Sequence, residues 1–193
     1  MVEKRMLMSD ASSFDTREDD GKLYISGYFS VFDSSYEFAP KMTESIDPHA
    51  FDKALDDDIR CLIDHDSRLV LGRTKSGTLQ LRVDAKGLWG EVEVNRNDQD
   101  AMNLYYRVQR HDVDQCSFGF DILDEERSVN DVTGEVHYLI KAVKLYELSV
   151  VTFPAYESTE VLARMKDMGA EKKRMIEAAK EKMKKKLKGV QTC

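Results

Sequence analysis

A serine that could act as a nucleophile lies in one short, mostly apolar stretch, QCSFGF. In a strand alternate side chains share a face, so Cys116, Phe118 and Phe120 should point to the core. Ser117 and Gly119 should then share the opposite face, where the glycine would let an extended peptide backbone approach the hydroxyl closely. A bulge at Gly119 beside an ordinary exposed serine explains the same pattern. Cys116 is an alternative nucleophile, although alternation turns it away from the face of Ser117.

A serine hydroxyl is a weak nucleophile near neutral pH and needs an adjacent base. His65 is the candidate base, because it follows an apolar run that ends in Leu-Ile and lies between Asp64 and Asp66. A structural or simply exposed histidine fits the same position. The two aspartates also suggest a metal site, but no second histidine or cysteine lies at ligand spacing, so this interpretation is weak.

A third candidate group is the carboxylate of Glu147, which lies inside the apolar stretch LYELSVVTFPAY. Burying a carboxylate is costly unless it is hydrogen-bonded or paired. An imidazole N–H is one partner that would satisfy it, as in the triads that activate serine. A surface-facing glutamate on an edge strand is the plain alternative.

The elements that must position these groups are mainly strands. Aromatic and β-branched residues predict a strand over 22–31, and two alternating stretches, 78–83 and 88–94, predict a hairpin. Further strands are expected over 113–123 and 135–153, the second broken near Lys144. Asp47 followed by proline predicts a short helix to about Leu55, and apolar spacing predicts an amphipathic helix over 98–110. This pattern favours a β-barrel or sandwich with a few helices.

Composition excludes several classes of function. The chain has 193 residues, 41% hydrophobic and 34% charged, and contains no apolar run of the roughly 20 residues that span a bilayer. No apolar run follows Lys4 and Arg5, so no secretory signal is expected. Three cysteines are an odd number without paired spacing, which indicates a reducing cytoplasm rather than a disulfide framework.

The net charge of −7 is unevenly distributed. From Lys166 onward ten lysines and arginines face four acidic residues, so the end of the chain carries +6 and residues 1–165 carry −13. An acidic body argues against nucleic-acid binding, which depends on cations that displace phosphate counterions. Apolar residues at three- and four-residue steps after about Glu160 predict a basic amphipathic helix, either solvated or used to dock on a partner.

Five stretches, in this order along the chain, resemble the signatures of the HK97-type phage prohead protease family. Three are specific, DHD at 64–66, SFGF at 117–120 and LYELSVVTFPA at 145–155. Two are softer, GYFSVF at 27–32 and IDPHAF at 46–51, where His49 stands in place of the usual glycine. The resemblance covers about residues 3–162. It implies an α+β, mainly β fold, an assemblin-like β-barrel with flanking helices, to which the amphipathic spacing after Glu160 adds a C-terminal helical tail. The expected domains are the protease, 1–162, and the basic tail, 163–193.

The resemblance also implies an activity and its residues. Ser117 would be the nucleophile, His65 the general base and Glu147 the third member of the triad. Assemblins have a second histidine as the third member, and Asp66 and Asp124 are the next candidates here. No cofactor and no metal are expected.

The substrate implied by the family is the scaffolding segment of the major capsid protein, together with the protease itself. Cleavage would take place inside the immature capsid, the prohead, in the host cytoplasm. A homo-oligomer stays open, whereas nucleic acid and membrane are not expected partners. The alternative function is that of a non-catalytic scaffolding or assembly protein, whose basic tail would bind capsid subunits.

Overall fold

The computed structural model describes residues 5–8, 14–32 and 34–153, all of which belong to the first of two compact units, Met1–Tyr156. The predicted C-terminal helical tail and the domain boundary at 162 lie outside the described residues. No helix in the described part is long and apolar enough to cross a membrane.

Eleven strands in two sheets make up most of the described chain. The larger sheet has seven strands: β1 (Arg5–Met8), β4 (Ser35–Ala39), β5 (Met42–Ile46), β6 (Arg60–Ile63), β7 (Asp66–Arg73), β10 (Gln115–Val129) and β11 (Val136–Val151). The smaller sheet has four: β2 (Asp15–Asp19), β3 (Lys22–Val31), β8 (Leu79–Val83) and β9 (Gly87–Val94). One α-helix, α1 (Gln99–Gln109), and two 3-10 turns, Ala54–Asp56 and Thr74–Ser76, complete the elements of this part.

Strand β11 lies at the centre of the larger sheet. One of its edges pairs antiparallel with β10 along almost its whole length. Its other edge pairs in parallel with two strands in succession, first with β5 at residues 136–140 and then with β6 at residues 147–150. The sheet therefore runs β1-β10-β11-β5-β4, with β6 and β7 forming a branch beside the second half of β11.

The two sheets share one hydrophobic core. Phe29 and Val92 of the smaller sheet belong to the same buried cluster as Phe118 and Leu148 of the larger one. At the edge of this core Gly72 approaches the smaller sheet so closely that a Cβ there would lie 2.3 Å from Val92 Cγ2. The close contact brings β7 against β9.

The predicted strand over 22–31, the hairpin that became β8 and β9, and the amphipathic helix are confirmed. Helix α1 begins after Asp98, whose side chain accepts hydrogen bonds from two backbone N–H groups of the first turn. Its buried face consists of the four residues that the i, i+3, i+4, i+7 spacing predicts, namely Ala101, Leu104, Tyr105 and Val108.

The predicted α+β, assemblin-like β-barrel with flanking helices is wrong. The chain is mostly β, and within the described residues it has one α-helix and no closed barrel. The physical reason lies in β11, which is 16 residues long and pairs with two different strands on one edge. The sheet consequently branches there and keeps open edges instead of closing on itself.

Two local predictions are also wrong. The short helix after Asp47 is absent: the Asp47 carboxylate accepts the N–H of His49, but the chain then forms turns with i to i+3 bonds up to Ala54 instead of the i to i+4 bonds of an α-helix. Strand β11 is not broken near Lys144. A bulge lies there instead, since Gly119 pairs with Glu147 while Phe120 pairs with Leu145, which leaves one extra residue on β11.

Candidate active site

His65 lies at the tip of the hairpin that joins β6 to β7. Ile63 and Asp66 are paired, so Asp64 and His65 form a two-residue loop. Both have positive φ angles, +47° and +60°, which is the geometry of a type I′ turn. Asp and His tolerate this left-handed region better than most residues.

The side chain of Asp64 ties this hairpin to the end of β11. Its Oδ1 accepts a hydrogen bond from the backbone N–H of Thr152 at 2.8 Å, and its own N–H donates to the carbonyl of Val150 at 3.0 Å. The two bonds fix the loop relative to the strand that contains Glu147. Asp64 therefore has a structural use that its sequence position beside His65 did not reveal.

Asp66, the other aspartate of the suggested metal site, points to a different partner. The guanidinium of Arg68, and then its backbone N–H, hold the pKa of Asp66 down to about 2. Among the described residues no group of three or more His, Cys, Asp or Glu side chains is arranged to hold a metal.

Glu147 meets His65 directly. The carboxylate is 2% exposed, and its Oε1 lies 2.9 Å from Nδ1 of the imidazole. Its Oε2 accepts a hydrogen bond from the hydroxyl of Ser149 at 2.6 Å. Because a carboxylate can only accept, Nδ1 is the nitrogen that carries the proton of this contact, and in the neutral ring Nε2 then holds the lone pair. This is the tautomer that a general base requires.

Ser117 lies on the neighbouring strand and on the same face of the sheet. It pairs with Ser149 across the β10–β11 ladder, and Gly119 pairs with Glu147. Opposite residues of an antiparallel pair have Cβ atoms about 4.5–5.5 Å apart. The side chains of Ser117, Ser149 and Glu147 therefore form one polar patch inside the protein, beneath the hairpin that contains His65.

Two atoms, one in this patch and one on the hairpin above it, lack a hydrogen-bond partner within the described part of the chain. They are Ser117 Oγ and His65 Nε2. Both are buried, and leaving such a polar atom unsatisfied costs about 1–3 kcal/mol. Unsatisfied buried polar groups are rare in native proteins and call for a functional explanation. Here the two atoms are a hydroxyl and the basic nitrogen of an imidazole, which are the pair that exchanges a proton in serine hydrolases.

Cys116 and Cys61 lie on the other side of the sheet. Cys116 is buried in the shared core, where its Sγ is 3.4 Å from the carbonyl oxygen of Tyr28 on the smaller sheet. Cys61, on β6, is also fully buried, and burial, assisted by the negative charge of Glu147, raises the pKa of its thiol. Raising the pKa suppresses the reactive thiolate.

The remaining candidate for the third member of the triad, Asp124, lies elsewhere, and so does His137. Asp124 is exposed on the outer part of β10, opposite Ala142. His137 lies on the first half of β11, with its ring nitrogens 2.8 Å from Thr43 Oγ1 and 2.9 Å from Ser45 Oγ.

Sequence reasoning missed Ser149 as a partner of Glu147. The signal was present, because residues two apart in a strand share a face.

A serine, a histidine and a buried carboxylate on neighbouring parts of one sheet are the side-chain types that serine hydrolases use. Comparison with protein families gives a match to the model of the caudovirus prohead serine protease over residues 12–174. The chain therefore belongs to this family, as the sequence motifs predicted, and is a serine peptidase of phage capsid maturation. No curated protein and no solved structure matches it.

Proposed function

We propose that the chain is a serine endopeptidase in which Ser117 attacks, His65 is the general base and Glu147 orients and stabilises the imidazole. The observation that supports this assignment best is the pair of buried atoms without partners, Ser117 Oγ and His65 Nε2, next to a Glu147–Nδ1 contact of 2.9 Å. The substrate is the scaffolding segment of the capsid protein, and the protease also cleaves itself inside the prohead. Family membership supports the capsid protein as the partner.

The reaction follows from the tautomer that Glu147 imposes. Nε2 of His65 takes the hydroxyl proton of Ser117 as Oγ forms a bond to the scissile carbonyl carbon. The imidazolium, paired with the carboxylate, then gives this proton to the leaving amine as the C–N bond breaks. Water repeats the sequence on the acyl-enzyme and releases the new carboxyl end. Backbone N–H groups have to hold the oxyanion that forms at the carbonyl oxygen.

Cys116 is a poorer nucleophile than Ser117 in this arrangement. Its Sγ lies in the apolar core, close to a backbone carbonyl of the smaller sheet, on the face of β10 opposite to Ser117. A substrate that reached Glu147 and His65 would meet the hydroxyl and not the thiol.

The test is to co-express each variant with the major capsid protein of the same phage and to measure shortening at the capsid N-terminus. Ser117→Ala and His65→Ala should each abolish cleavage, because loss of a triad member lowers the rate by several orders of magnitude. The matched controls are Ser128→Ala, an exposed serine of the same strand, and His49→Ala, an exposed histidine. Both controls should process the capsid protein normally.

Circular dichroism and urea unfolding must show that the inactive variants remain folded. Near-normal processing by a folded Ser117→Ala protein would refute the assignment of the nucleophile. Maturation of the shell without any cleavage would favour the alternative role, a scaffolding protein without catalytic activity.

A further inference from the structure

The first strand of the chain lies against the strand that contains Ser117. Strand β1, only four residues long, pairs antiparallel with the outer edge of β10. Its register places Arg5 opposite Phe120, Met6 opposite Gly119 and Met8 opposite Ser117. The backbone edge that borders the candidate nucleophile is therefore occupied by a segment of the same chain.

We propose that this edge of β10, from Ser117 to Phe120, is the docking site for the backbone of a substrate peptide, and that Arg5–Met8 occupies it in competition with substrate. The proposal rests on the function proposed above. Its ligand class is an extended peptide bound by strand addition, in which main-chain hydrogen bonds supply affinity. The peptide runs antiparallel to β10, so that from its N-terminus it passes Gly119 before it reaches Ser117.

Two observations favour an extended peptide as the ligand of this edge. An uncovered strand edge presents a row of unpaired N–H and C=O groups, which pair readily with another extended segment. In addition, the docking residues are those that flank the nucleophile, so a peptide held by the backbone of Gly119 is held beside the hydroxyl of Ser117. Four residues of this chain already show that the edge accepts a peptide in this register.

The burial of Ser117 indicates that the arrangement is closed. Its side chain is 0% exposed, so a substrate reaches the hydroxyl only after part of the surroundings moves aside. β1 is the strand that borders Ser117 on the outer edge of β10. The next strand, β2, is held separately by pairing with β3 in the smaller sheet, and the buried Phe14 precedes it. Release of Arg5–Met8 therefore removes only an edge strand of the larger sheet and leaves the pairing of the other ten strands unchanged.

A segment tethered this close acts as an intramolecular competitor. Short flexible tethers give effective concentrations in the millimolar range. A substrate present at lower concentration gains access chiefly when its own contacts are stronger or when its concentration rises, as it does inside an assembling shell. The N-terminal strand thus sets a threshold for cleavage.

The experiment compares two double variants made in the Ser117→Ala background, so that no cleavage consumes the probe. Met6→Pro/Leu7→Pro removes backbone donors, because one of two adjacent strand residues directs its N–H to the partner. Met6→Ala/Leu7→Ala keeps both N–H groups and is the matched control. The probe is a fluorescein-labelled peptide with the sequence of residues 1–12 of this chain, and its binding is followed by fluorescence anisotropy.

The proline variant should bind the probe at least about tenfold more tightly than the alanine variant, because its own N-terminal strand no longer competes for the edge of β10. A probe that contains the same two prolines should not bind. Hydrogen exchange of the amides of residues 117–120 should be faster in the proline variant and should slow again when the probe is added.

Equal affinity of the two variants, or no binding to the proline variant, overturns the proposal. Failure of the docking proposal can be distinguished from failure of the proposed catalytic assignment. Ser117-dependent cleavage of the capsid protein with no binding at the edge refutes the docking site alone. Loss of Ser117 dependence refutes the catalytic assignment, whatever the probe does.

Discussion

Glu147→Gln exchanges one oxygen of a buried carboxylate for an NH₂ group with almost no change of shape. Both carboxylate oxygens are in use, Oε1 beside Nδ1 of His65 and Oε2 as the acceptor for Ser149. A glutamine can keep its oxygen towards His65 and turn its NH₂ to Ser149, whose hydroxyl then accepts instead of donating. In this orientation the imidazole retains the tautomer needed for catalysis.

The expected loss follows from the charge alone. A hydrogen bond to a charged group contributes about 1.5–3 kcal/mol and a neutral one about 0.5–1.5, so roughly 1–2 kcal/mol is lost when the imidazolium forms. This corresponds to a decrease in kcat of about 5- to 30-fold. The opposite orientation, with NH₂ towards His65, would place the proton on Nε2, and a comparable change of tautomer in a serine protease costs about 10⁴-fold.

Ser149 decides between the two orientations, because its hydroxyl is the group that can accept from the amide. Ser149→Ala alone should lower kcat by about tenfold or less, since the carboxylate loses one bond but keeps its charge. Combined with Glu147→Gln it should lower kcat more than about 10³-fold, because the amide then turns its NH₂ to the imidazole. The two changes are therefore strongly non-additive.

The assay is single-turnover cleavage of a purified capsid-protein fragment, with urea unfolding to confirm that each variant is folded. A Glu147→Gln protein that retains the full rate would show that another residue holds His65. If the fold-decrease in kcat of the double variant is no larger than the product of the two single fold-decreases, the role given to Ser149 is refuted.

Three further predictions test other parts of the structure. Cys116→Ala should keep most of the activity and lose about 1 kcal/mol of stability in urea, from lost packing; an inactive but folded protein would reverse the choice of nucleophile. Gly72→Ala should lower the free energy of unfolding by about 1–3 kcal/mol, because the added methyl group meets Val92. In the double variant with Val92→Ala, the loss of stability should be smaller than the sum of the two single losses. A loss equal to that sum would contradict the contact. Arg68→Ala should raise the pKa of Asp66 from about 2 towards 3.8 in an NMR titration, and Arg68→Lys should raise it less. A depressed carboxyl pKa stabilises the fold above about pH 3.8, and this effect is lost as the pH falls through about 2. Below pH 2 both variants should therefore be as stable as the native protein.

Local patterns in the sequence predicted local structure well. Alternation in QCSFGF correctly placed Cys116 and Phe118 in the core and Ser117 on the opposite face. The hairpin of β8 and β9 and the face of α1 followed from period and turn chemistry in the same way. In each case the pattern lies within one element or one hairpin, so the local sequence alone contains the information.

What the sequence could not predict depends on non-local pairing. Nothing in β11 itself indicates that one of its edges pairs with β5 and then with β6, and this choice replaces the expected barrel by a branched sheet. The hydrogen bond from the backbone N–H of Thr152 to Asp64 Oδ1 joins residues 88 positions apart. Strand β1 was not predicted, because four residues are too few to show a recognisable alternation of apolar and polar side chains.

The parallel pairing of β6 with β11 has a consequence for when the enzyme becomes active. His65, Ser117 and Glu147 are separated by 52 and 30 residues along the chain, and they meet only after long-range strands have paired. Long-range pairing closes large loops and is slow compared with the formation of helices and hairpins. With the catalytic assignment proposed above, a nascent or partly folded chain keeps these three groups apart, so cleavage waits until β6 and β10 have paired with β11. The order of folding events delays hydrolysis until the last strand of the larger sheet is in place.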